Sequence, residues 1–467
     1  MEKRASRKQF QQRLDEMITT LREEIMSGQR EVGKFLPAES ELEKMFRLSN
    51  NSVRKGLDVL VKEGLLEKIP RVGNRVVRSA PQHQAVVRFG MQSTIEREAD
   101  MERLIAEFHR TFPQIQIQTV AIPNEGYSRF VRECMEADML DVCTINSNNF
   151  QDIVESGNSR LLEPLDERSG YYPFLSEPFR FEGQLLMQPI FFSPVILCYN
   201  KNHFREAGLL EPDSSWTWDD LFDAAKRLAV ENKRYGFYFH LLMRNRWPVF
   251  LLQSGVEFGV AEFDRSALIG GLDICRKLLA MPDVFPVMLS ASDADAEELF
   301  LKQQVSVIMT TYFALNELAD ADFPFDVAPL PRYREFRTLM TVIGVAVNRN
   351  SRVKEAAKLF VDFLSSYDAQ LLIRKHTLSI PADRRAAEWQ GSENRYRPPR
   401  FHMYREIIPT FRLPKDLGLS SRQLSIIRKE VKLFWSGLSD EETLLARIEQ
   451  ALADGKGSGS GQLAGLK

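Results

Sequence analysis

The spacing of apolar residues changes character once along this chain, at Ser79-Ala80-Pro81-Gln82-His83-Gln84. Before that short polar stretch, three amphipathic helices and a hairpin can be drawn. Beyond it, strands and helices alternate. No single core serves both patterns, because helices packed on helices and helices packed on a sheet bury their apolar faces in different layers. The chain must hold more than one core, and 467 residues at 44% hydrophobic are enough for two or three. The reading divides the chain into a head at 1–78, a linker at 79–84, a body at 85–455 and a flexible tail at 456–467, where KGSGSG supplies the flexibility.

In the head, Leu14, Ile18, Leu21 and Ile25 recur at helical spacing and form one stripe. Pro37 can open a second helix over Ala38–Arg47, since a first-turn residue needs no amide donor. Ser49 is placed to cap a third helix, which buries Val53, Leu57, Leu60 and Val61 and ends at Gly64. The opposite face of that helix carries Asn50, Asn51, Ser52, Arg54 and Lys55. Leu65–Ile69 and Asn74–Arg78 flank Pro70-Arg71-Val72-Gly73 as a hairpin wing.

This arrangement reads as a winged helix-turn-helix. Its third helix fits a major groove with its N-terminal residues at base edges. Asn can bond adenine, Arg can bond guanine, and first-turn amides favour a phosphate. On charge pattern alone, a solvated polar helix face is the other reading. The charge split favours nucleic acid: residues 1–78 hold 17 Lys+Arg against 12 Asp+Glu, a balance of +5, and the remainder carries −7.

The head resembles the GntR family's DNA-binding domain over about sixty positions. Leu36-Pro37-Ala38-Glu39-Ser40-Glu41-Leu42 matches its LP-x-E-x-x-L, and Ser49–Arg54 matches its S-x-x-[ST]-V-R. The resemblance implies that Asn50, Asn51, Ser52 and Arg54 face DNA, with Arg71 and Val72 at the wing tip. The family usually has Arg at the position of Asn50 and Gly at that of Arg71.

The body opens with a strand at Val86–Gly90, a helix at Glu96–Thr111, a strand at Gln114–Ile122, a helix at Tyr127–Asp138 and a strand at Asp141–Ile145. That alternation implies a parallel α/β sheet with ligand sites at the carboxyl ends of strands, here Gln92–Glu96 and Asn146–Asn149. Several ordered segments resemble the family 1 extracellular solute-binding proteins, many of which bind oligosaccharides. They include Phe108–Pro113, Asp141, Leu161–Asp166, the crossing strand Pro194–Lys201, Trp216–Leu221 and Glu298–Tyr312. The resemblance implies two α/β lobes joined by crossing strands, with ligand in the cleft. The fold class expected is thus multidomain: a winged helix-turn-helix followed by a two-lobed, periplasmic-binding-protein-like clamshell.

Sugar pockets pair hydroxyl-bonding side chains with an aromatic platform. Asn146 and Ser147 are the polar candidates; Phe192, Trp247 and Tyr312 are the aromatic ones, with core packing as the other reading of Trp247. Trp216 and Trp218 read as structural, at a helix start where Thr217 caps and Asp219 and Asp220 favour the positive end. The helical stretch Tyr404–Leu452 either closes the second lobe or forms a dimer surface.

Neither HExxH, a P-loop, GxSxG nor GxGxxG is present. No catalytic residue, cofactor or metal is expected. Cys134, Cys143, Cys198 and Cys275 are dispersed and read as buried thiols in a reducing compartment. The N-terminus is charged, with no apolar run of an export signal, and no stretch approaches the ~18 apolar residues of a membrane span. The expectation is a cytoplasmic regulator and homodimer on a double-stranded DNA operator, holding a small molecule of the carbohydrate class. A carbohydrate scavenger with weak DNA retention is the alternative.

Overall fold

The computed structural model describes residues 13–14, 16–22, 24–25, 29–70, 72–77, 85–124, 126–260, 262–287, 295–391 and 396–456. The chain divides into two compact units, 1–86 with 109–116 and 87–108 with 117–467.

The head core gathers Met17, Leu21, Ile25, Leu42, Val53, Leu57 and Leu60, with Leu14, Ile18 and Val61 partly buried around it. The first stripe is centred on Met17, which the sequence pattern passed over. A Cβ at Gly56 would stand 2.2 Å from the Met17 Cε. That glycine therefore lets the two helices approach closely. The second helix runs Glu39–Phe46, so Pro37 lies outside it, before Ala38 at the cap position. The third runs Asn50–Lys62. Leu66–Ile69 and Gly73–Val76 pair antiparallel as the wing.

One feature of the wing was not expected. The segment between the first two helices lines up on the second wing strand: Gly33 N–H donates to Val76 O at 2.7 Å and Leu36 N–H to Asn74 O at 2.9 Å. Backbone donors need acceptors, and this segment finds them on the open edge of the hairpin.

The larger unit is built on one ten-stranded sheet. Its main path is Ile115–Ile122, Ala85–Gln92, Val142–Asn146, Thr338–Val347, Gln188–Asn200, Val305–Thr311 and Tyr235–Tyr238. The strands Ala85–Gln92 and Val142–Asn146 are parallel, as expected. The connecting strands are antiparallel, so the sheet is mixed.

Gln188–Asn200 is buried at all thirteen positions. Its first half pairs with Thr338–Val347 and its second half with Val305–Thr311 and Phe325–Ala328. One strand thus belongs to both lobes, and a strand covered on both faces reads as a continuous apolar run.

The helix expected over Glu96–Thr111 is two helices, Ser93–Ala99 and Met101–Thr111, with Asp100 between them at φ 51°. At Trp218–Leu228 the capping box is formed: Thr217 accepts from the Asp220 amide and the Asp220 carboxylate accepts from the Thr217 amide. Ser421–Trp435 and Glu441–Lys456 pack on each other, and the former packs on the second-lobe helix Arg265–Leu279. Trp435 Nε1–H donates to Leu272 O at 3.0 Å. The same helix also packs on Ser147–Glu155 of the first lobe, so the stretch touches both lobes.

Candidate functional site

On the head, helix Asn50–Lys62 exposes Asn50, Asn51, Arg54 and Lys55 at and near its N-terminus. Ser52 does not join them. It is 4% exposed, and its hydroxyl meets that of Ser49 at 2.7 Å. The expectation that Ser52 faces DNA is corrected: on a helix the third residue of this turn falls on the inner side beside Val53. Ser49 occupies the cap position but makes no side-chain bond to a helix amide; Ser52 takes its hydroxyl instead. Arg54 Nε–H donates to Glu39 Oε2 at 2.7 Å. Val72 stands at the wing tip with 65% of its surface exposed. Arg71 lies outside the described residues.

In the body, a cavity of 1990 Å³ opens beside helix Ser147–Glu155. Ser147, Gln151, Asp152 and Glu155 line one wall. Phe258, Phe263 and Arg265 of the second lobe, with Ser421 and Arg422 at the start of Ser421–Trp435, line the other. The helix begins directly after strand Val142–Asn146, so Asn146–Asn149 is a helix start and not a loop.

Asn146 Oδ1 accepts from the Asn149 amide at 2.8 Å, so its oxygen caps the helix. Ser147 is 7% exposed, lines the cavity, and places its Oγ 3.4 Å from the Val342 amide.

The three aromatic candidates belong to the core, which corrects the platform assignment. Phe192 is fully buried among Tyr172, Phe174 and Tyr404. Trp247 is 1% exposed at the start of the buried helix Pro248–Ser254. Tyr312 is fully buried, edge-on to Phe401, with its hydroxyl donating to Phe401 O at 2.8 Å. None of the three lines the cavity. A stacking platform must show a ring face, and these rings have spent theirs on neighbours. The aromatic residues that line the cavity are Phe150, Phe181, Phe258 and Phe263.

Polar contacts join the lobes next to the cavity. Arg244 Nη1 and Nη2 reach the Asp152 carboxylate at 3.3 Å. The Ser421 amide donates to Glu155 Oε2 at 2.9 Å, and Gln151 Nε2 to Leu419 O at 3.3 Å. A further pair between the lobes, Arg97 with Glu317, involves residues that do not line the cavity. Burial pushes the Glu155 carboxyl up from its ordinary range, against the lowering effect of the bonds from Gln151 and Ser421. Gln151, Asp152, Glu155 and Ser421 were missed in the sequence because they lie one turn into a helix or on distant segments; Arg244, read as a neighbour of Trp247 able to bond sugar hydroxyls, instead reaches Asp152.

Among the described residues, no group of three or more His, Cys, Asp or Glu could hold a metal ion, and no helix is long and apolar enough to cross a membrane. All four cysteines are free and buried.

The family described as bacterial extracellular solute-binding protein matches residues 92–371, and the gntR family of bacterial regulatory proteins matches residues 14–76. The chain belongs to the bacterial extracellular solute-binding protein family. It carries, in addition, a GntR-family domain at its head.

Among similar proteins, a putative binding protein of Brucella abortus (strain 2308) is 26% identical over 274 residues, 53% of this chain and 64% of that protein. The sn-glycerol-3-phosphate-binding periplasmic protein UgpB of Rhizobium meliloti (strain 1021) is 22% identical over 246 residues, 48% of this chain and 55% of that protein. The chain spans less than two thirds of the length of these relatives.

Among solved structures, an ABC substrate-binding protein from Listeria monocytogenes in complex with cycloalternan aligns with a TM-score of 0.68 at 21% identity, covering 80% of this chain and 99% of that one. Maltose-bound MalE3 of T. maritima aligns with a TM-score of 0.68 at 18% identity, covering 79% and 99%. These alignments show the two-lobed solute-binding fold.

Proposed function

We propose that this solute-binding family member is a DNA-binding transcription regulator, in which a small molecule held in the body alters affinity for an operator. The observation that carries the reading is the exposed Asn50, Asn51, Arg54 and Lys55 face at the start of a helix, in one chain with a solute-binding fold. Carriage of a solute does not require a major-groove reader.

In this reading Asn50 and Asn51 reach base edges, Arg54 bonds guanine or phosphate, Lys55 holds phosphate and Val72 enters the neighbouring groove. The protein works where DNA is, in the cytoplasm, as a homodimer on a two-fold site. The ligand is a carbohydrate, in keeping with the cycloalternan and maltose of the structural neighbours. Gln151, Ser147 and Ser421 bond hydroxyls, and the half-buried Phe263 offers apolar surface at the cavity wall. Ligand coupling of ~1–3 kcal/mol changes operator affinity roughly 5–150-fold.

The test uses the full chain. Duplexes are enriched from a random pool, and anisotropy titrations follow with and without maltose, maltotriose and a wider saccharide set. A saccharide that shifts affinity at least fivefold is the expected result. Absence of any enriched duplex ends the DNA reading. A saccharide that binds without moving DNA affinity leaves a solute-binding protein with a passive head.

A further inference from the structure

We infer that Glu39 is a positioning residue for DNA recognition, aiming Arg54 so that the outer edge of its guanidinium is presented as a two-donor fork; this rests on the DNA reading above. Glu39 is the first residue of helix Glu39–Phe46, and Arg54 lies on the exposed face of helix Asn50–Lys62, fifteen positions on. The Arg54 Nε–H donates to Glu39 Oε2 at 2.7 Å. Arg54 keeps 57% of its side-chain surface and Glu39 keeps 26%. The carboxylate is thus the more enclosed partner, and the guanidinium is the one presented outward.

Three features make the pair a device for aiming. A carboxylate in the first turn of a helix is favoured by the unpaired amides there, so the helix start suits the Glu39 charge. A guanidinium is planar, so fixing Nε fixes the direction of the whole group. With Nε occupied, the outer edge of Nη1 and Nη2 remains to form two parallel bonds to guanine O6 and N7. Among the described residues, Glu39 accepts the Arg54 side-chain bond.

The carboxylate also has a second, opposing effect. It offsets part of the Arg54 charge and repels phosphate, so it weakens binding to any DNA while sharpening binding to the right one. A purely structural ion pair would not produce that split.

The experiment uses the full chain and a duplex enriched from a random pool, beside a scrambled duplex of equal composition. Wild type, Arg54→Ala, Glu39→Ala and Glu39→Gln are titrated against both, and against the enriched duplex with 7-deazaguanine at each guanine in turn. Circular dichroism and melting curves accompany each variant. For Glu39→Ala, the ratio of enriched to scrambled affinity falls roughly tenfold. The scrambled affinity rises or holds, and the variant loses the sensitivity of wild type to 7-deazaguanine at one position. Glu39→Gln keeps an oxygen for Nε, so it keeps the ratio within about threefold while binding both duplexes more tightly.

If Glu39→Ala keeps the wild-type ratio and base sensitivity while Arg54→Ala loses them, the positioning role is wrong and the DNA reading stands. If Arg54→Ala also leaves the ratio intact, the DNA assignment of this face falls as well. If Glu39→Ala melts early, Glu39→Gln decides: a Gln variant that folds yet loses the ratio overturns the inference.

Discussion

Two buried carboxyls in this protein carry opposite pH signatures. Asp141 is fully buried. Burial alone would raise its carboxyl, but bonds from the Arg88 side chain and amide and from Ser351 outweigh it, so the group sits below its ordinary range. The geometry accounts for this: Arg88 Nε and N each lie 2.8 Å from Oδ2, and Ser351 Oγ lies 2.7 Å from Oδ1. A lowered carboxyl contributes stability that is present above its unfolded pKa of about 3.9 and lost as pH falls through the folded value. Asp141→Asn therefore lowers the melting temperature near neutral pH, by about 3 kcal/mol in stability, and flattens the acid side of the curve. Parallel acid melting curves for the two proteins would refute this.

Glu297 has the reverse sign. Burial pushes its carboxyl up to about 7, against the bond from Thr310 and the charge of Arg246. Its contribution is full below the unfolded pKa of about 4.3 and is lost as pH rises through about 7. Glu297→Gln should flatten the decline in stability between those limits; an unchanged slope counts against it. Trp247 belongs to the same scale. With 1% exposure it is a core residue, so Trp247→Ala should cost about 3–5 kcal/mol of stability. A variant that melts like wild type would return the ring to the surface.

At the scale of elements, local signals held where a cap or periodicity acted alone. Thr217 was legible as a cap because Asp219 and Asp220 followed it, and the capping box is formed. Thr217→Ala should cost about 1 kcal/mol, read as a lower melting temperature with unchanged far-ultraviolet dichroism; a change below about 0.3 kcal/mol would show that the Asp220 half of the box suffices. The break at Asp100 was not legible. Asp tolerates the left-handed region better than most residues, but nothing in the flanking pattern marks the turn. Pro37 misled in the other direction, since a proline suits the first turn but equally suits the chain just before it. Ser52 shows the limit of reading a helix face from residue type: its polarity suggested solvent, while its angular position beside Val53 put it inside.

At the scale of the whole body, the lobes are held across the cavity by exposed and half-exposed polar contacts. Arg244 keeps 46% of its side-chain surface and Asp152 keeps 23%. Such a pair contributes little to global stability, on the order of 0–1 kcal/mol. It connects helix Ser147–Glu155 to the second lobe, so its loss should be felt in opening. Arg244→Ala is expected to leave the melting temperature nearly unchanged and to accelerate amide hydrogen exchange in residues 147–155. Unchanged exchange there would remove the pair from any role in closure.

What the sequence by itself determined was periodicity, capping and order along the chain. These signals are local, and they carried the winged head, the alternating body and the family resemblance. The exposed row of Asn50, Asn51, Arg54 and Lys55 was also legible, because helical spacing alone sets which of them share a face. The cavity wall was not. Phe192, Trp247 and Tyr312 have the chemistry of a sugar platform, yet three-dimensional neighbours took up their ring faces. Gln151, Glu155 and Ser421 carry no sequence signal of a site, and they come together only because residues more than 260 positions apart are folded onto one helix. Which side chains face a cleft depends on the packing of both lobes, and that is decided by long-range contacts that no local pattern encodes.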